Sequence, residues 1–207
     1  ASRGLGDVYK RQAEGTVRLG GVDVSTVDGE VLLENYAIVF QDVALFADTV
    51  MENIRLGKRD ATDEEVLAAA ERAQCGEFLK RLEKGIYTKA GDGGKGLSGG
   101  ERQRIAPARA ILKDAPIVVL DEASSFADPE NEAKIQKAFE ALMKGKTVLM
   151  IAHRLSTVRN MDRILVVRDG EIAEEGKHDE LLEKGGVYAA MWEEYQKAAQ
   201  WKVGGVA

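Results

Sequence analysis

The sequence predicts an α/β fold in which helices cover a parallel sheet. Three apolar segments have the length of strands, namely Ala37–Phe40, Pro116–Leu120 and Thr147–Ala152. Helical segments separate them, and strands that alternate with helices are typical of parallel, layered sheets. Residues 62–113 are helical over most of their length and look like an insertion, so we predict a helical subdomain at about 50–113.

The remaining elements follow from apolar spacing and from capping residues. The alternation between Thr16 and Val24, broken at Gly20-Gly21, predicts two short extended segments. Thr62 with Glu65 forms the pattern of a capping box at the start of a helix. Further elements are predicted as helices at 130–143, 178–184 and 187–200, and as a strand at Ile164–Val167 that ends in a turn at Asp169-Gly170.

Composition excludes several classes of protein. The chain has 207 residues with 44% apolar and 31% charged residues, which is ordinary for a globular protein. Its net charge is −6 and no basic stretch dominates, so nucleic acid is not an expected partner. Apolar runs such as Val148–Ala152 are too short to span a bilayer. The single cysteine, Cys75, cannot form an internal disulfide and is expected in the core.

The strongest local motif is the run from Leu97 to Arg104, which reads LSGGERQR. A serine and two glycines at the start of a helix leave backbone N–H groups pointing outward, and the helix dipole favours an anion such as phosphate there. The alternative is a purely structural one, in which Ser98 is an N-cap followed by a glycine turn. The motif alone leaves both interpretations open.

Polar residues also follow the predicted strands. Asp121 and Glu122 come directly after Ile117–Leu120, at the edge where α/β sheets bind ligands. One such carboxylate can hold Mg²⁺ through water and its neighbour can orient an attacking water. Gln41 and His153 each follow a strand in the same way, whereas His178 is expected to start a helix. Taken singly, each of these features is also common in proteins without such a site.

Together and in this order, the motifs resemble those of the ATP-binding cassette (ABC) family. Gln41 matches the Q-loop, Leu97–Gln103 the signature motif and Val118–Glu122 the Walker B motif. Ser125–Asp128 matches the D-loop, although Phe126 is bulky for its position, and His153 matches the H-loop. The resemblance runs from about Glu14 to Ala199. The segments around Gln41 and Thr49–Ile54 look like the exporter branch, in which the cassette is usually fused to a membrane domain.

The resemblance implies a RecA-like P-loop NTPase core that carries the helical subdomain, and a head-to-tail pair of cassettes with ATP between them. Glu122, His153 and Gln41 would be catalytic, and Asp121 with Gln41 would attend Mg²⁺. The nucleotide would be contacted by Leu97, Ser98, Gly99, Gly100, Gln103 and Asp128. A transmembrane domain, attached or separate, would be the other partner and would hold the chain at the cytoplasmic face of the inner membrane.

One motif of the family does not occur in the sequence. A cassette needs a P-loop of the form G-x-x-x-x-G-K-[ST]. Gly145-Lys146-Thr147 supplies only the ending and stands between a predicted helix and a strand, the reverse of the required order. Gly91–Gly96 matches a dinucleotide-type pattern by letter, but no strand leads into it.

We therefore predict an N-terminally truncated cassette that lacks its first strands and the P-loop. Residues 1–12 resemble a translated adapter from DNA library preparation, so they are predicted to be non-native; 13–201 would be the partial ATPase domain and 202–207 a tail. A flexible natural N-terminus is the alternative.

Three functions stay open at this stage. The first is the ATPase domain of an exporter, and the second is a non-transport ABC protein that closes on ATP as a clamp. The clamp proteins would show a long coiled-coil insertion between Gln41 and Ser98, or a second cassette, and neither occurs in the sequence. The third is a chain without activity as written. Pro107, inside the predicted signature helix, is expected to bend it.

Overall fold

In a computed structural model, the described residues are 14–40, 42–91, 96–121, 129–152 and 155–204. The chain divides into two compact units, residues 1–149 and 150–207. The predicted elements are present in both units, with boundaries that shift by a few residues. The border of the helical subdomain at about 50–113 stays a prediction.

The first unit begins with a small hairpin. Strands β1 (Arg18–Leu19) and β2 (Val22–Asp23) pair antiparallel. Gly20 and Gly21 join them with φ angles of +56° and +84°, a conformation that glycine adopts without strain. This confirms the two short extended segments and the break that the sequence predicts.

A three-stranded sheet follows, in the order β3 (Tyr36–Val39), β4 (Ile117–Asp121) and β5 (Thr147–Ile151). β3 and β4 run parallel, with Val39 opposite Leu120. Ala37, Val39, Val118 and Leu120 are buried. On the other face of β3, Ile38 is 44% exposed, and Phe40, the residue after the strand, is 60% exposed. The parallel pairing confirms the predicted fold class, and the sheet is apolar on a face that is left exposed.

Helices account for most of the first unit. They are α1 (Gly29–Glu34), α2 (Val50–Arg55), α3 (Asp63–Arg72), α4 (Gly76–Arg81), α5 (Gly99–Lys113) and α6 (Pro129–Met143), with a 3₁₀ turn at Gly85–Tyr87. The Thr62–Glu65 capping box forms at α3 as predicted. α1 is too short to show helical periodicity and was not predicted; Asp28 caps it by accepting from the N–H of Glu30.

Helix α5 lies at the centre of this unit and contacts α2, α3, α6 and β3. Ile105, Ala108 and Ile111 form its buried face. Pro107 is also buried within it, and the helix is continuous from Gly99 to Lys113. Cys75 is fully buried next to this helix, which confirms its predicted place in the core.

The second unit contains β6 (Ile164–Arg168), β7 (Glu171–Gly176), α7 (Leu155–Val158), α8 (His178–Lys184) and α9 (Val187–Gly204). β6 and β7 form an antiparallel hairpin, and Asp169 and Gly170 both have positive φ at its turn. Ile164, Val166, Leu181 and Tyr188 make its core. α9 extends to Gly204, into the segment predicted as a tail. Within the described residues, the helices are all too short or too polar to cross a membrane.

Candidate functional site

The LSGG turn (Leu97–Gly100) forms the start of α5, and Ser98 is its N-cap. The Ser98 hydroxyl accepts from the N–H of Glu101 at 3.3 Å, and the Glu101 carboxylate accepts from the N–H of Ser98 at 2.8 Å. These two bonds form a capping box, which fixes the turn from both sides. The structural interpretation of Ser98 is therefore confirmed. It leaves the functional interpretation open, because a cap and an anion site use the same helix terminus.

The N–H groups of Gly99 and Gly100 have no acceptor among the described residues. The two glycines differ in their surroundings. A Cβ on Gly99 would meet no atom of the described residues within 4 Å, whereas one on Gly100 would lie 2.8 Å from Cγ of Asn131. Packing within the chain thus requires a glycine at 100. It does not require one at 99, where the described residues leave the space open.

Asn131 and Arg104 lie beneath the LSGG turn. Nη1 of Arg104 donates to Oδ1 of Asn131 at 3.1 Å, and the Arg104 side chain is almost fully buried. Its guanidinium carbon lies 5.3 Å from the centre of the Phe78 ring, a cation–π distance. Cys75 lies close by, and burial raises the pKa of its thiol to about 12.

Three further residues of the predicted motif lie on or near the turn. Glu101 also receives a hydrogen bond from Arg81 at 2.8 Å, so its carboxylate is held by a cation and by the capping box. Leu97 is buried and anchors the turn to the core. Gln103 is partly buried and lies one helical turn after Gly99, on the same side of α5.

The other predicted site residues belong to the strand ends. Asp121 is the last residue of β4 and is partly buried. β3 and β4 end at the same edge of the sheet, because Val39 pairs with Leu120 in parallel register. Gln41, Glu122, Asp128 and His153 lie outside the described residues, as does Ser125 of the D-loop. In the part of the chain that is described, no three acidic, histidine or cysteine side chains cluster as metal ligands would.

A second polar cluster joins α5 to the segment after Gln41. Arg109 donates from Nε to the carbonyl of Asn53 at 2.6 Å, and from Nη2 to the Asn53 side chain at 2.8 Å. It also donates to the carbonyl of Ala44 at 2.8 Å. The Asn53 carboxamide in turn binds both backbone groups of Phe46. The cluster therefore fixes residues 44–46 to the helix that carries the LSGG turn.

Two residues that the sequence analysis excluded from the site, Lys146 and His178, make contacts within the fold. Lys146 of the Gly145-Lys146-Thr147 run donates to Asp114 and to the carbonyl of Ala115, at 2.7 and 2.8 Å, in a turn between α6 and β5. His178 begins α8 and its Nδ1 lies 2.8 Å from the Tyr188 hydroxyl in the core. Both residues are structural. The Gly91–Gly96 run falls largely outside the described residues.

Arg104, Asn131, Arg109 and Asn53 were not identified from the sequence. Polar residues in helices are ordinarily solvated, so nothing in the local pattern marks Asn131 or Asn53. One signal was present for the two arginines. Arg104 lies beside Ile105, and Arg109 beside Ala108, on the apolar stripe of α5, where a charged residue needs a buried partner.

Sequence comparison finds one protein family and several of its export proteins to be similar to this chain. The profile of the ABC transporter family matches residues 7–125, a range that begins within the segment 1–12 predicted to be non-native. The chain is 50% identical over 177 residues to the beta-(1→2)glucan export ATP-binding/permease protein NdvA of Nitrobacter winogradskyi, covering 86% of the chain and 29% of that protein. It is 47% identical over 184 residues to the ATP-dependent lipid A-core flippase of Legionella pneumophila, covering 89% and 31%.

Among solved structures, a bacterial Atm1-family ABC exporter with ATP bound matches with a TM-score of 0.81 and 41% identity. The match covers 88% of this chain and 32% of that one. The chain thus spans about three tenths of the length of these relatives. The parallel sheet, the turn that begins α5 and these similarities lead to one conclusion: the chain has the ABC ATPase fold and belongs to the ABC transporter family.

Proposed function

We propose that the chain is part of the ATP-hydrolysing domain of an ABC exporter and couples ATP hydrolysis to transport of a substrate across a membrane. The observation that carries this proposal is the LSGG turn. Its two glycine N–H groups have no acceptor among the described residues, and the space next to Gly99 is open. An anionic phosphate that arrives from outside the chain fits such a helix terminus.

In this proposal ATP lies between two cassettes that face each other head to tail. Ser98, Gly99 and Gly100 would contact the γ-phosphate of the nucleotide that is held by the P-loop of the partner cassette, with Leu97, Gln103 and Asp128 nearby. Within its own cassette, Glu122 would orient the attacking water and His153 would hold the γ-phosphate. Most of the catalytic effect would come from positioning and charge.

Mg²⁺ is the proposed metal, with Asp121 and Gln41 as its protein contacts through water. Asp121 stands at the carboxyl edge of β4, where such a carboxylate is placed in open α/β sheets. The proposed location is the cytoplasmic face of the inner membrane, through a transmembrane domain that is attached or separate. The cluster of Arg109 and Asn53, which joins α5 to residues 44–46, would help to transmit movement between the nucleotide and that domain.

One face of the parallel sheet exposes apolar side chains. Parallel sheets are ordinarily covered on both faces. Here Ile38 is 44% and Leu149 56% exposed, although both belong to apolar strands. The P-loop helix and its preceding strand, which the family resemblance implies, are elements of the kind that would cover such a face.

An ABC-type clamp is less well supported. Such proteins carry a long coiled-coil insertion between the Q-loop and the signature motif. Between residues 42 and 91, in the described part of that segment, the longest helix is α3 with 10 residues. The exporter-like relatives also favour transport.

The experiment begins with the genomic sequence upstream of the codon for Glu14. We expect it to encode a P-loop, and we expect the completed domain with Glu122→Gln to form a stable dimer when ATP is added. Size-exclusion chromatography with light scattering would measure the dimer. Gly99→Ala in the same background is the control, since it changes the proposed phosphate contact without a clash in the chain. The proposal is contradicted if neither the Glu122→Gln domain nor its Gly99→Ala variant changes its oligomeric state when ATP is added.

A further inference from the structure

Arg104 carries a buried positive charge that is not neutralised by any described carboxylate. Its side chain is 2% exposed, and no acidic group in the described ranges lies within ion-pair distance. Its Nε is buried without an acceptor in the same residues. A buried charge is costly unless it is paired, so an arginine in this state needs an explanation.

The partner that Arg104 does have is neutral. The carboxamide of Asn131 accepts from Nη1 at 3.1 Å and so satisfies one donor without cancelling the charge. The Phe78 ring, at 5.3 Å, provides a second favourable contact that also leaves the charge intact. Glu77 is nearby, but its pKa is lowered first by the hydrogen bond that it accepts from Lys134, and Arg104 contributes least to that shift.

The position of this charge relates it to the LSGG turn. Arg104 lies four residues after Gly100, about 6 Å along the axis of α5, and the helix geometry tilts its side chain toward the N-terminus. Asn131, which holds it, also lies against Gly100, where an added Cβ would meet its Cγ at 2.8 Å. The same carboxamide therefore contacts the turn and the arginine.

We propose that Arg104 is an electrostatic positioning residue, whose buried charge, paired with no carboxylate of the described residues and held by the neutral Asn131, strengthens the attraction of the LSGG turn for nucleotide phosphate. This inference rests on the proposed function, since it assumes that the turn binds phosphate. It adds a second source of positive potential to the helix terminus, and it gives a reason for an amide in place of a carboxylate at position 131.

The decisive variant is Asn131→Asp, which keeps the size of the side chain and the acceptor for Arg104. It places a carboxylate 3.1 Å from the guanidinium nitrogen and so neutralises the charge. ATP without added metal is titrated into the ¹⁵N-labelled chain, and the amide resonances of Gly99 and Gly100 report binding. We expect binding about tenfold weaker than in the wild type, with thermal stability equal or higher.

Gln136→Glu is the matched control. It makes the same neutral-to-acidic change on α6, at an exposed position about 7.5 Å further along the helix axis. It should leave the affinity within about twofold of wild type. If Asn131→Asp also leaves the affinity unchanged, Arg104 and Asn131 serve packing alone and the proposal fails.

A second pair of variants covers the case in which Asn131→Asp does not fold. Arg104→Lys keeps the charge and Arg104→Gln removes it, and both shorten the side chain. The lysine variant should bind ATP more tightly than the glutamine variant, and equal affinities would overturn the proposal. Inorganic tripolyphosphate should reproduce the ATP response, because the attraction is to phosphate charge.

The two proposals can fail separately. A wild-type chain whose Gly99 and Gly100 amides do not respond to ATP or tripolyphosphate would refute the role of Arg104. The ATP-dependent dimer of the completed domain would still test the proposed function.

Discussion

Adjacent glycines in the LSGG turn should respond in opposite ways to the same substitution. Gly99→Ala introduces a methyl group into open space, while Gly100→Ala places it 2.8 Å from Cγ and 3.0 Å from Oδ1 of Asn131. Neither glycine has a positive φ, so an alanine is free of backbone strain at both sites. The local packing alone therefore distinguishes the two variants.

The magnitudes follow from these contacts. Alanine in place of glycine favours a helix by at most about 1 kcal/mol, and by less in the first turn. Overpacking costs about 1–3 kcal/mol, and displacing Asn131 also weakens its bond from the buried Arg104, worth roughly 1.5–3 kcal/mol. We expect Gly99→Ala to be neutral or slightly stabilising and Gly100→Ala to destabilise the first unit by about 2–3 kcal/mol.

Hydrogen exchange of the amides in α5 is the suitable assay. Trp192 and Trp201 both belong to the second unit, so tryptophan fluorescence would not report on the first. Exchange of residues 102–113 should accelerate in Gly100→Ala and stay unchanged or slow down in Gly99→Ala. Equal effects of the two substitutions would refute the account of the turn and of its contact with Asn131.

Three further predictions concern the side chains of Tyr188, Cys75 and Arg109. Burial raises the pKa of Tyr188, so the contribution of this residue to the stability of the second unit should be complete below about pH 10 and lost as the pH rises through the raised pKa. Circular dichroism should show no such alkaline loss in Tyr188→Phe, although that variant also lacks the hydrogen bond with His178. The Cys75 thiol, with a pKa of about 12, should resist alkylation at pH 8 until the first unit unfolds, and mass spectrometry would measure its rate. Arg109→Ala removes three hydrogen bonds to Asn53 and Ala44 and should destabilise the first unit by about 2–4 kcal/mol, as measured by hydrogen exchange. The control Lys137→Ala, at an exposed position, should have little effect on the same stability.

Much of the fold could be predicted because its signals are local. The Thr62–Glu65 capping box, the Gly20-Gly21 break and the helix at 178–184 all form where periodicity and capping place them. α1 was missed, since six residues are too few to show a period of 3.6. Strand and helix ends moved by one to four residues, as at the end of α9, because the last turn depends on contacts that the sequence does not display.

The site could be predicted only in part, for a similar reason. Ser98, Gly99 and Gly100 are adjacent in sequence and carry a motif, so the turn was found. Arg104 and Asn131 are 27 residues apart and meet only through the packing of α5 against α6. A contact of that kind requires the tertiary structure, and no single-sequence pattern reveals it.

The measurement that tests the central claim most directly is Mg²⁺-dependent ATP hydrolysis by two proteins, the 207-residue chain and the same chain extended by its native upstream sequence. We predict no more than background turnover for the chain as printed, and robust turnover for the extended domain that is lost on Glu122→Gln. Robust turnover by the 207-residue chain would contradict the claim that hydrolysis needs a P-loop from outside it. An extended domain whose activity is indifferent to Glu122→Gln would contradict the catalytic role proposed for Glu122.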